Sequence, residues 1–257
     1  MKAILTEFSA EMDKVISFVE IIKCSIEICR ADDKKVKSKI PFIKYSKQLK
    51  RRLTGSSNIT PVAYDGAFLR ACAEYELTIR KLIEKYIEQA SSKCIEYHHL
   101  PKQIRDWYPD GCSNVILNLK QDKFKHLTKD AIFRSIASCQ KIHNYTLIGE
   151  AFSDHQRNLW PQDLEEILNV RLGLPKVWQK ISREEDMQSF IGTTDLGTTE
   201  RVAKSKLEIL LQRRNDIIHR GRSYYSPSDS EVIDCAKYLK VLINCFYLIL
   251  EKQLLAI

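Results

Sequence analysis

Apolar positions recur along most of the chain three or four residues apart, the spacing of amphipathic helices, and seldom alternate as strands do. Ile4, Phe8, Met12, Val15, Val19, Ile22 and Ile26 form one such stripe. Phe68, Cys72, Tyr75, Ile79, Leu82 and Tyr86 form a second. Glu76 falls on the edge of this stripe, between Cys72 and Ile79. A carboxylate so placed is either half-exposed or buried with a partner, and Arg80, one turn on, is a candidate. From Arg201 onward Leu207, Leu210, Leu211, Ile217 and Ile218 mark a third helix, which Gly221 is placed to stop. Ser228 and Glu231 make a capping box for the last helix, whose inward positions are Val232, Cys235, Leu239, Leu242, Phe246 and Leu250.

Between these stripes the pattern breaks. A turn is expected at Ala31-Asp32-Asp33, and Pro41 should break or kink any helix after it. TGSSNITP (54–61) reads as a linker closed by Pro61. Residues 94–200 are less regular, punctuated by Pro101, Pro109-Asp110-Gly111 and Pro161, with short helical patterns near 127–141 and 162–172. NVILNLK (114–120) has the look of a short strand without a partner, and TTDLGTT (193–199) that of a loop whose final Thr199 caps the next helix. The expected fold is therefore all-α: an N-terminal helical extension over 1–60, then a helical domain over 61–257 with an irregular middle.

Composition narrows the class. At 257 residues, 44% apolar and 29% charged, the chain is long enough to bury a full core without a metal or disulfide staple. Its longest apolar run, Val241 to Leu250, is too short for a membrane span and is broken by Asn244. Acids stand early in MKAILTEFSAEMDK, where a secretory signal would be apolar, so the cytosol is the expected compartment. The cysteines form no C-x-x-C pair and mostly sit on apolar faces, which fits buried thiols in a reducing compartment. Lys and Arg exceed Asp and Glu by eight, a surplus that favours polyanionic partners. Residues 34–52 hold nine Lys or Arg and no acid, with Phe42 and Tyr45 interleaved. That segment is either a solvated basic face or a phosphate track.

Candidate chemistry concentrates in LLQRRNDIIHRGR (210–222). Arg214 is in phase with Leu207, Leu211 and Ile218, so it projects from a face that should be core. Asn215 and His219 share the neighbouring face, and Arg213, Arg220 and Arg222 add three cations. So many cations repel unless an anion sits among them, and guanidinium matches phosphate geometry. The plainer alternative is a helix end enriched in cations to suit its dipole, with His219 as a cap; it leaves Arg214 unexplained. Tyr224-Tyr225, just beyond, can stack on an unpaired base or simply pack. Cys94, His98 and His99 could begin a zinc site, but no second ligand pair stands at suitable spacing. His126, His143 and His155 are scattered, and no phosphate-binding loop or serine-hydrolase elbow occurs.

Arg214-Asn215-Asp216-Ile217-Ile218-His219 resembles the R-[polar]-x-x-x-H signature of the HEPN superfamily. The order of elements is similar too: the signature ends the penultimate helix, and a polar loop and a capped last helix follow. AFLRACAEYELTIRKLIEKYI resembles the long early HEPN helix, with Glu76 at its acidic position. DLEEILNVRLGLP (163–175) resembles the RiboL-PSP-HEPN subfamily. The resemblance covers roughly 64–257 and implies a HEPN-like helical bundle acting as a homodimeric endoribonuclease without metal or other cofactor. It implies that Arg214, Asn215, His219 and Glu76 carry catalysis, while Arg213, Arg220, Arg222 and Tyr224 hold RNA. It further implies 2′,3′-cyclic phosphate and 5′-hydroxyl ends, and a toxin or anti-phage role with a cognate antitoxin or neighbouring defence protein as partner. The alternative is a non-catalytic HEPN module that binds RNA or a partner protein through the same basic cleft.

Overall fold

The computed structural model describes residues 1–30, 59–141, 144–154, 159–219 and 224–257. The expected turn at 31–33, the basic segment 34–52, Pro41, residues 54–58 of the linker, His143, His155, Arg220, Gly221 and Arg222 lie outside them. Among the described residues there is no strand. The long helices are α1 (Lys2–Arg30), α2 (Ile59–Lys93), α9 (Leu196–His219) and α10 (Asp229–Ala256). Between them come α3 (Lys102–Leu117), α4 (Lys129–Ser138), α5 (Glu150–Ser153), α6 (Pro161–Glu166), α7 (Val177–Ile181) and α8 (Glu185–Ile191). The all-α architecture is thus the one the periodicity predicts.

The chain divides into two compact units. The first comprises 1–7, 75–211 and 241–257, and the second 8–74 and 212–240. Each long helix contributes residues to both. In the second unit the α1 stripe is buried at Phe8, Met12, Val15 and Val19, and that of α2 at Phe68 and Cys72. Ion pairs Arg70–Glu11 (3.2 Å), Lys240–Asp13 (2.7 Å) and Lys23–Asp229 (3.1 Å) lie on its surface, the last holding the Asp229 carboxyl below its usual range. Such exposed pairs add little to stability. The predicted capping box is present: Glu231 N donates to Ser228 Oγ (3.2 Å) and Ser228 N to Glu231 Oε2 (2.7 Å).

Four local expectations are corrected, one at Pro61 in the second unit and three in the first. Pro61 does not close a linker; it stands in the first turn of α2, where a missing N–H costs nothing. Residues 114–117 are the last turn of α3 and not a strand. Pro109-Asp110-Gly111 is no turn either, for Pro109 lies inside α3. Proline there deprives the Arg105 carbonyl of its helical donor, and the Tyr97 hydroxyl supplies one instead at 3.0 Å. Gly111 lets α3 meet α5: a Cβ there would stand 2.2 Å from the Ala151 carbonyl oxygen. Finally, α9 begins before Thr199. Asp195 is the cap, accepting from Thr198 N at 2.7 Å, and hydrogen bonds from the Thr198 side chain and backbone lower the Asp195 pKa. Thr199 is buried and turns its hydroxyl back to the carbonyls of Asp195 (2.8 Å) and Thr193 (3.3 Å).

The short middle helices are tied together by Arg171, the last residue of a π-helical turn at Ile167–Arg171. Its guanidinium grips Glu166 through two bonds of 3.2 Å and donates to the carbonyls of Phe152 (3.1 Å) and Asp154 (2.6 Å). It also lies 4.6 Å over the Trp107 ring. Gly173 then leaves the turn at φ +71, a left-handed conformation that suits glycine.

Candidate functional site

Of the residues singled out in 210–222, Arg213, Arg214, Asn215 and His219 occupy the last two turns of α9, within the second unit. Leu207 and Leu211 are buried, and Arg214 continues their face half-buried. At the final turn the buried stripe passes to Ile217 (4% exposed), and Ile218, expected inward, is 48% exposed. An α-helix drifts about 20° per heptad, so positions seven apart do not stay in line. Arg214 Nη1 donates to Asn215 Oδ1 at 3.4 Å, a long bond joining neighbouring side chains. His219 is the last helical residue and is exposed. The helix end thus presents a half-buried guanidinium, an amide and a solvent-facing imidazole.

Arg213 has a different setting from the one expected of a phosphate-binding group. Its guanidinium carbon lies 3.3 Å from the centroid of the Tyr225 ring, and Nη2 stands 3.9 Å from Glu231 Oε1. Only 11% of its side chain is exposed. The cation is stacked on Tyr225, and its Nε and Nη2 are buried. Tyr224 is similarly engaged: its hydroxyl donates to Asp65 Oδ2. Ser226 Oγ donates to Asp65 Oδ1 (2.8 Å) and contacts the Pro61 carbonyl at 2.9 Å. Asp65 therefore clamps the segment that follows the helix end onto the start of α2.

Sequence reasoning missed Asp65. Its signal was present, since it is a lone acid in phase with Phe68 and Cys72 on an apolar face. Replacing Asp65 with Ala is expected to cost about 1–3 kcal/mol, because two hydroxyls lose a shared buried acceptor. Denaturant unfolding measures this, and Asp65→Asn, which keeps one acceptor oxygen, should lose less.

Glu76 sits in the first unit, half-buried, with one carboxylate oxygen sealed from solvent. Elsewhere in that unit Cys94 is buried, and burial pushes its thiol pKa up. Glu96, which the sequence pattern did not single out, joins His98 and His99 in its place. His126 pairs with Glu150. No described helix is long and apolar enough to cross a membrane.

These features define an all-helical protein whose penultimate helix ends in a guanidinium, Arg214, and an imidazole, His219, five positions apart, with the Asn215 amide next to the guanidinium. The sequence model of the family described as RiboL-PSP-HEPN matches residues 32–252. The chain belongs to that family. Membership is consistent with nuclease activity or another RNA-related function. Neither a curated protein nor a solved structure matches the chain.

Proposed function

We propose that the protein is a metal-independent endoribonuclease in which Arg214 and His219 carry the chemistry. The observation that supports this most directly is the end of α9, where a half-buried Arg214 adjoins Asn215 at 3.4 Å and His219 stands open to solvent. In RNA cleavage of this type the 2′-hydroxyl attacks the neighbouring phosphorus and gives up its proton. The phosphorus–O5′ bond breaks, and the departing oxygen takes a proton. Negative charge builds on the non-bridging oxygens, where a preorganised guanidinium is most effective. Arg214 binds those oxygens, and Asn215 orients the guanidinium. His219 moves one of the two protons, a task suited to imidazole near neutrality.

Two copies of the helix end, facing each other across a dimer axis, would supply two imidazoles, one for each proton. We further propose RNA as substrate, with Arg220, Arg222 and the basic segment 34–52 extending the phosphate track. On this reading the protein is the toxic or effector arm of a toxin–antitoxin or anti-phage system, restrained by a cognate antitoxin or a neighbouring defence protein.

The test is to incubate purified protein with RNA in excess chelator and analyse the ends. The expected products carry 2′,3′-cyclic phosphate and 5′-hydroxyl termini. RNA left intact at every pH tried, or 5′-phosphate products, would overturn the reading. Binding without cleavage would make the chain a non-catalytic RNA-binding module.

A further inference from the structure

Away from α9, the connector between α2 and α3 gathers two imidazoles and a carboxylate. We propose that Glu96, His98 and His99 form a binding site for a zinc-class divalent ion, completed by water. Their ligand atoms all lie within 4.8 Å of one another. The Nε2 atoms of His98 and His99 approach the same Glu96 oxygen, Oε2, at 3.1 and 3.9 Å. Two ligands of a tetrahedral zinc, each about 2.1 Å from the ion, stand about 3.4 Å apart. The two Glu96–His separations bracket that value and the two imidazoles lie within 4.8 Å of each other, so side-chain rotations about the fixed turn are what binding all three to one ion requires.

The backbone beneath them is already fixed. From Glu96, extended at φ −116 and ψ 139, the chain enters a 3₁₀ turn at Tyr97–His99, closed by His99 N donating to Glu96 O at 3.0 Å. In such a turn residues three apart eclipse, which sets Glu96 beside His99. Tyr97 anchors the turn through its hydroxyl on the Arg105 carbonyl (3.0 Å) and its ring edge-on to Tyr145 (5.5 Å between centroids). Buried Leu100 holds its far end. Only the exposed rings of His98 and His99 and the Glu96 side chain have to be ordered on binding, which keeps the entropy cost low.

The donor set selects the ion. Two imidazoles and one carboxylate suit Zn²⁺ and its neighbours, whereas Mg²⁺ demands oxygen ligands and octahedral geometry. Three protein ligands leave one position for water, and all three come from the connector that follows α2. The site lies wholly in the first unit. The ribonuclease reading rests on Arg214 and His219 in the second, so either proposal can fail while the other stands.

Tag-free full-length protein titrated calorimetrically with zinc chloride tests the site. About one equivalent should bind, and zinc should raise the melting temperature as any ligand of the folded state does. Magnesium chloride should do neither. The variant His98→Ala/His99→Ala should lose both responses while keeping its metal-free melting temperature, since both rings are exposed. If that variant fails to fold, Glu96→Gln, which preserves shape and removes the charge, should still weaken zinc binding at least about tenfold, the loss a missing ligand commonly exceeds. Absence of uptake by the unaltered protein overturns the proposal. So does uptake that these substitutions leave unchanged, which would place the ion elsewhere, for example at the exposed Cys24.

Discussion

Replacing His219 with alanine is expected to lower RNA cleavage by about 10²–10⁴-fold, the usual worth of a positioned general acid or base. Binding of the same RNA should persist, because His219 is exposed at the end of α9. Gel-shift affinity and single-turnover cleavage measured on one RNA separate the two effects. Arg214→Lys should also be poorly active, since an ammonium keeps the charge but loses the planar fork that matches phosphate. If each cleft of the dimer draws groups from both copies, mixing inactive Arg214 and His219 variants should restore part of the activity after subunit exchange. Undiminished cleavage by His219→Ala would remove the imidazole from the mechanism.

The largest effect on stability is expected at Gly111. A valine Cβ there would meet the Ala151 carbonyl oxygen at 2.2 Å and the Trp107 indole nitrogen at 2.8 Å. Those two groups are hydrogen-bonded to each other at 2.8 Å, so the intruding carbon splits the bond that joins α3 to α5. Helix backbone cannot retreat as a flexible side chain can. Overpacking together with the lost bond should cost about 3 kcal/mol or more. Guanidinium unfolding of Gly111→Val would show the loss as a lower midpoint; a midpoint within error of the parent protein would mean that α5 moves aside freely.

The long helices were legible in the sequence because each carries a repeating apolar face: the stripe from Phe8 to Val19, that from Phe68 to Tyr86, and that from Val232 to Leu250 are all buried as spacing predicts. The Ser228–Glu231 cap was legible for the same reason, a local rule with local partners. The failures within α3 needed distant information. Pro109 is tolerated in α3 only because Tyr97, twelve positions earlier, feeds the stranded Arg105 carbonyl. Gly111 looks like half of a turn until Ala151 is seen against it. At the candidate site, Arg214, Asn215 and His219 could be found from their spacing on α9. The engagement of Arg213 by Tyr225, and of Tyr224 by Asp65, depends on a chain reversal and on a residue 159 positions away, which no periodicity records.

Arg171 carries a consequence for how the middle of the chain comes apart. Helices of four to seven residues such as α5, α6 and α7 have no stability of their own in water. One guanidinium links the end of α5, the end of α6 and the Trp107 face of α3. Loss of any one of these partners leaves a buried cation wanting, so they should melt together as a single cooperative block rather than fray one by one.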